Sequence, residues 1–305
     1  MMVLDSLLPV FALIGLGALL RRRQLTNDLF LRTSDRLVYY IFFPVMLFWK
    51  IGASPRIDAD AADLVLAGLV AVASVYAVSA VAMRVFRIPR FTAGSFSQSC
   101  YRFNTYVGMA VVLNALGEPG AARFGILAGF LIPFINVLAV GTLIWYSDHA
   151  LDQRERIRIT LRALVSNPLI LACLAGLVYA RLVGRFPVFL DNAFGLASSV
   201  ALPLALVSVG GSLTLRHFRA HLGHAVLGSV IKLAILPAVG WLALSLVDAS
   251  PLSRQVGLLF CALPTSPAIV VLSSQLGSDT EFASAAIVLS TLLSFVAMSV
   301  VLLSF

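Results

Sequence analysis

This chain has very little charge. Asp, Glu, Lys and Arg make up 12% of its 305 residues, against 60% that are hydrophobic. A water-soluble domain needs roughly a quarter charged residues to cover its surface. A soluble globular protein is therefore excluded, and lipid must be the outer solvent. Cysteine is nearly absent too. Cys100, Cys173 and Cys261 all lie inside apolar segments, show no metal-ligand spacing and read as small packing residues with no disulfide. Three of the four histidines, His217, His221 and His224, recur at helical spacing beside Arg216 and Arg219. No acid or cysteine completes a metal set there, so a solvated cytoplasmic interface is expected. Phosphate loop, nucleophile–base pair and redox motif are all missing. Chemistry on a substrate, and any cofactor, are not expected.

What the chain has in quantity is long apolar runs. Ten are expected to cross a bilayer as helices, at roughly 3–20, 35–53, 61–84, 93–116, 123–146, 164–182, 192–213, 222–247, 253–276 and 282–304. The fold class is thus an all-α membrane protein, and these 305 residues leave no room for a second, soluble domain. The first run has no basic residue before it and Arg21, Arg22 and Arg23 after it, the reverse of a secretory signal. It is expected to be a retained first span. The net charge of +8 does not indicate nucleic acid, because the basic residues sit between apolar runs, where they face anionic headgroups.

Loop charge sets the orientation. Alternate loops, starting after span 1, collect Arg21, Arg22, Arg23, Arg32, Arg36, Arg84, Arg87, Arg90, Arg154, Arg156, Arg158, Arg162, Arg216 and Arg219. The opposite side collects only Lys50, Arg56, Arg123, Arg181, Arg185 and Arg254; on the first side the loop after span 9 holds Asp279 and Glu281 and no basic residue, but acids count for little in this rule. The positive-inside rule makes the first side cytoplasmic and places both termini outside, in a multi-pass protein of the cell inner (plasma) membrane.

The two halves match at an offset of 159 or 160. Pro9, Gly17 and Arg22 correspond to Pro168, Gly176 and Arg181; Pro44 and Gly52 to Pro203 and Gly211; Thr105, Val111, Leu116 and Gly117 to Thr265, Val271, Leu276 and Gly277. The prolines and glycines weigh most, since each has a backbone reason for its place. Five spans separate the equivalents, and five is odd. The chain is therefore expected to form two inverted five-helix repeats, 1–150 and 151–305, joined in one transporter unit. Secondary transporters are built this way.

Spans 4 and 9 carry polar interruptions at aligned places. Span 9 reads Cys261-Ala-Leu-Pro264-Thr265-Ser266-Pro267, and two prolines three apart forbid a continuous helix. Span 4 reads Arg102-Phe103-Asn104-Thr105-Tyr106, with Asn104 opposite Pro264. Polar backbone at membrane depth is tolerated only where it is buried in protein or lines a cavity. Broken, crossing helices 4 and 9 are expected, their second halves presenting free N–H groups and positive dipole ends to a site between them. The blander reading has the prolines kinking span 9 and Asn104 joining two helices. Pro44 and Pro203 are read as kinks.

The Asn104-Thr105-Tyr106 run resembles the Asn-Thr-Tyr at the first crossover of auxin efflux carriers. The ten-span pattern, the Pro44-Val-Met-Leu-Phe of span 2 and the Pro267-Ala of span 9 are also similar to that wider family. It includes bacterial permeases for malonate, malate and similar carboxylates, and resembles the bile-acid sodium symporters in fold. The resemblance implies a crossover of spans 4 and 9, a scaffold domain, and transport of a carboxylate. Phe103 stands where the plant carriers have proline, and Thr265-Ser266 where they have asparagine; their long cytoplasmic loop is absent.

Only two charged residues fall deep within spans, Arg102 and Lys232. A lone cation there costs on the order of 2.5–3.5 kcal/mol on insertion scales. Arg102 either pairs a bound carboxylate through its planar fork, or snorkels or caps the first half of span 4; Lys232 is read as structural. No buried acid offers a proton relay. The expected substrate site comprises Arg102, Asn104, Thr105, Tyr106, Pro264, Thr265, Ser266 and Pro267. The expected function is secondary transport of small organic anions, with export downhill in a negative-inside cell. A sodium-coupled symporter and a non-transporting sensor are the alternatives. The expected partners are the organic anion, the lipid bilayer, a sodium ion if transport is coupled, and a second copy of the chain if it forms a homodimer.

Overall fold

The computed structural model describes residues 2–53, 58–146, 165–213 and 218–304, with 154, 157, 158, 161 and 162. Arg56, Arg156, Arg216 and His217 lie outside the described residues, as does most of the 147–163 loop. The described residues form helices and no strand.

Among the described residues six helices are long and apolar enough to cross a membrane, and five of them, Val3–Arg22, Ala59–Val85, Val188–Ser212, Phe218–Ser245 and Thr280–Leu303, fall at the expected spans 1, 3, 7, 8 and 10. Arg90–Tyr146 is a sixth apolar stretch, of 57 residues. Drawn straight it would run ~85 Å, nearly three times the ~30 Å hydrocarbon core. It does not run straight. The chain leaves the helix at 102–104 and turns at Gly117, whose φ of 66° only glycine adopts readily, so the stretch supplies spans 4 and 5. Span 6 is the short helix Pro168–Leu182, and span 9 is Pro251–Cys261 followed by Ala268–Gln275. Span 2 is assembled from Asp28–Leu37, the π-helical turn Val38–Phe42 and Phe43–Gly52.

Span 2 starts well before the expected residue 35. The side chain of Asn27 accepts from Phe30 N–H at 2.8 Å, and Asp28 stands in the positive first turn. Those polar turns are helical by capping, which apolarity does not report. Pro44 and Pro237 each follow a π-turn, at Val38–Phe42 and Ile231–Ile235. A proline lacks the N–H for an ordinary turn and its ring crowds the carbonyl four residues back; one extra residue in the turn before it makes room. Pro203 stays inside an uninterrupted helix.

Span 1 packs along span 7, span 2 along span 6, and span 3 along span 8. At the first of these contacts the backbones touch. A Cβ at Gly210 would lie 1.8 Å from the Ile14 carbonyl oxygen, and one at Gly17 would lie 2.0 Å from that of Val207. Lipid offers no hydrophobic drive between helices, so such close approach supplies the packing. The helix ends are tied by polar contacts. Arg123 grips Asp58 and reaches Asp60 at 3.2 Å, and its guanidinium holds the Asp58 carboxyl down at about 2.

Candidate functional site

The two breaks meet. The backbone N–H of Asn104 donates to the Pro264 carbonyl at 2.9 Å. The Asn104 side-chain oxygen accepts from Tyr106 N–H at 3.1 Å and Val107 N–H at 3.3 Å, which caps the second half of span 4. Its amide nitrogen is buried and has no hydrogen-bond partner among the described residues, although the residue is only 1% exposed. A buried donor left unpaired costs about 1–3 kcal/mol, so an acceptor that reaches it would bind with that gain.

On the span 9 side, Ser266 Oγ accepts from Ala268 N–H at 3.3 Å, at the start of the helix Ala268–Gln275. Thr105, Tyr106, Ser266 and Pro267 are part-buried, whereas Asn104, Pro264 and Thr265 are buried. The Thr265 hydroxyl donates to the Ser99 carbonyl at 2.9 Å, and its N–H donates to Ser290 Oγ at 3.1 Å. Thr265 thereby pins span 9 to spans 4 and 10. Tyr106 sets its ring edge-on to Phe43 of span 2, with centroids 4.7 Å apart.

Arg102 turns away from this group. Its guanidinium donates to Gln98 Oε1 at 3.2 Å and to Asn136 Oδ1 at 2.6 Å, at 9% exposure. Both acceptors are neutral. The charge that opposes it is the negative end of the helix Arg90–Tyr101, of which Arg102 is the C-cap residue. Lys232, fully buried, does the same for span 9: its Nζ reaches the carbonyl of Cys261, the last residue of Pro251–Cys261, at 3.4 Å. The two cations of the membrane interior thus sit at the C-terminal ends of the two first half-helices. The negative dipole ends at the crossing are met by cations, and the positive ends only by the neutral caps Asn104 Oδ1 and Ser266 Oγ.

Sequence reasoning missed several partners. Asn136 was visible as a lone polar residue in apolar span 5, whereas Gln98 and Ser290 gave no signal. The expectation that no acid is buried needs correction. Asp279, the N-cap of Thr280–Leu303, is 5% exposed; it accepts from Thr92 Oγ1 at 2.8 Å, and His221 Nδ1 lies 3.8 Å away. His221 is consequently packed against span 10 rather than solvated as expected.

A cavity of about 460 Å3 opens between spans 1, 2 and 7 and the second half of span 4. Its wall along span 4 is Ala110, Leu113 and Asn114, on the helix face that continues back to Tyr106, and Glu118 beyond the turn at Gly117.

Comparison with known proteins decides the family. The model of the membrane transport protein family matches residues 2–302. The chain belongs to that family. The resemblance to auxin efflux carriers and their bacterial permease relatives is thereby borne out. The chain is also 28% identical over 302 residues to a protein named "Putative malonate transporter" from Rhizobium meliloti (strain 1021), covering 94% of this chain and 91% of that protein. For this family member the general class is transport across a membrane by a multi-pass helical protein.

Proposed function

We propose that the chain is a secondary carrier of small carboxylates, moving them by alternating access at the crossing of spans 4 and 9. The unpartnered amide of Asn104 carries the reading. It is a donor held at the meeting point of two positive half-helix ends, where the opposing negative ends are already compensated by Arg102 and Lys232. Such a place favours an anion and disfavours a cation. Asn104, Thr105, Tyr106 and Ser266 are the proposed ligands, with Pro264, Thr265 and Pro267 shaping the break and Arg102 tuning its field from behind. The relative named as a malonate transporter suggests a short dicarboxylate.

Two inverted repeats, 1–150 and 151–305, are part of this proposal. Paired backbone features support it: Gly117 and Gly277 share positive φ at an offset of 160, and so do Gln24 and Gly184. Packing partners also exchange under that offset, span 1 with 7 becoming span 6 with 2. Direction, orientation in the inner membrane and dimerisation are proposed as read from the sequence. The test is counterflow of labelled malonate into proteoliposomes, in sodium and then in potassium buffer. Saturable flux in both supports an uncoupled carrier, flux in sodium alone a symporter. Binding of malonate without flux would favour a sensor and overturn the carrier.

A further inference from the structure

The cavity beside span 4 has a polar mouth that the crossover does not explain. Lys50 Nζ donates to both carboxylate oxygens of Glu118, at 2.7 and 2.5 Å. The two partners are unequal. The Lys50 side chain is 11% exposed and that of Glu118 is 65% exposed. Lys50 is fixed from below, lying 4.0 Å from the Trp49 ring centroid, while the Trp49 indole N–H donates to Asp191 at 2.7 Å. Glu118 stands on the turn between Gly117 and Pro119, free to leave for solvent. Deeper in the same cavity the Ser198 hydroxyl is buried, at 8% residue exposure, with no hydrogen-bond partner among the described residues.

A part-buried cation whose one carboxylate partner among the described residues is a solvent-facing side chain is a site where that carboxylate can be exchanged. The rest of the wall is apolar apart from Asn114 and Ser199, and the volume suits a small ligand. The crossover lies about 20 Å along span 4 from Glu118, at 1.5 Å per residue. A short dicarboxylate cannot touch both places at once. We propose that Lys50 and Ser198 form a separate entry site for carboxylates, at which the incoming anion displaces Glu118 from Lys50 before passing along the Asn114–Ala110 face to Tyr106. This rests on the carrier reading above and adds a second, earlier binding event to it.

The experiment measures half-saturating malonate for flux in proteoliposomes of wild type, Lys50→Gln, Lys50→Arg, Glu118→Gln, the Lys50→Gln/Glu118→Gln double variant and Asn104→Ser. An entry site makes the two partners act with opposite sign. Lys50→Gln should raise the half-saturating concentration by about tenfold or more, since a charged hydrogen-bond partner is lost. Lys50→Arg should stay within a few-fold of wild type. Glu118→Gln should lower the value by roughly two- to fivefold, because a resident competitor is gone. If the pair is only a strut, both single variants impair flux alike and the double variant is no worse; that result overturns the entry site. An unchanged Lys50→Gln beside a weakened Asn104→Ser also overturns it while leaving the crossover reading intact. Absence of flux for malonate and for a panel of mono- and dicarboxylates in wild type overturns both.

Discussion

Asn104 and Pro264 share one backbone hydrogen bond of 2.9 Å, and it joins the two interruptions on which the proposed function depends. Proline supplies the carbonyl because its ring has ended the first half of span 9, and Asn104 supplies the N–H because its residue stands outside both halves of span 4. Each break therefore satisfies part of the other, and the remaining Asn104 amide faces no protein acceptor.

That division of labour within one side chain can be separated by mutation. Serine caps a helix about as well as asparagine but brings no amide donor. Asn104→Ser should keep the thermal midpoint of the purified protein within a few degrees of wild type. Malonate affinity by calorimetry should fall roughly ten- to a hundredfold, the worth of one hydrogen bond to a charged group. Unchanged affinity would place the anion elsewhere.

Lys232 is expected to behave in a mixed way. It is fully buried, 3.4 Å from the Cys261 carbonyl and 5.9 Å from the Phe260 ring centroid, with no carboxylate beside it among the described residues. Replacing a buried charge by an apolar chain of similar volume is often neutral or stabilising. Lys232→Met should therefore fold at least as stably as wild type. It also uncovers the negative end of Pro251–Cys261 at the crossing, so anion affinity should drop about two- to thirtyfold, from a dipole interaction of ~0.5–2 kcal/mol. A variant that loses stability but not affinity would make Lys232 a structural residue only.

The all-helical membrane fold was legible because lipid demands long apolar runs, and the break in span 9 was legible because Pro264 and Pro267 stand only three residues apart. Much else was not. Gln24 and Gly184 adopt the same left-handed turn from different residue types, so no comparison of letters could pair them. Of the directions expected for Arg102, the structure shows the one that caps the first half of span 4, and its acceptor Asn136, 34 residues away, reaches it through packing of span 5. Asp279 was assigned to a loop by its neighbours in sequence, and its burial comes from contacts with Thr92 and His221 on other spans.

The contact of spans 1 and 7 gives a stability test with an internal control. Gly210→Val should abolish recovery of folded protein in detergent, since a Cβ there meets the Ile14 carbonyl oxygen at 1.8 Å and neither backbone can move without parting the spans. Gly15→Ala, in the same span 1, meets nothing within 4 Å. It should be neutral or stabilising by about 0.5–1 kcal/mol, the helix preference of alanine over glycine. Equal behaviour of the two variants in size-exclusion profiles would contradict the close packing.

Orientation remains to be tested, and the described ion pairs already bear on its logic. Arg21 with Asp28, Lys50 with Glu118, Arg123 with Asp58, and His221 with Asp279 each join residues expected on one and the same face. None of them says which face is the cytoplasm; the arginine bias does. Single cysteines at Arg87, in the loop after span 3, and at Ser304, after span 10, are separated by seven crossings. Seven is odd, so they must lie on opposite sides if every span crosses once. The native cysteines are buried and give little background. An impermeant maleimide on intact cells should label Ser304→Cys and reach Arg87→Cys only after the membrane is opened. The reverse pattern would invert the protein in the membrane yet keep the repeats antiparallel. Labelling of both from one side would require an even number of crossings between them and would remove the inverted repeat, and with it the main architectural reason for alternating access.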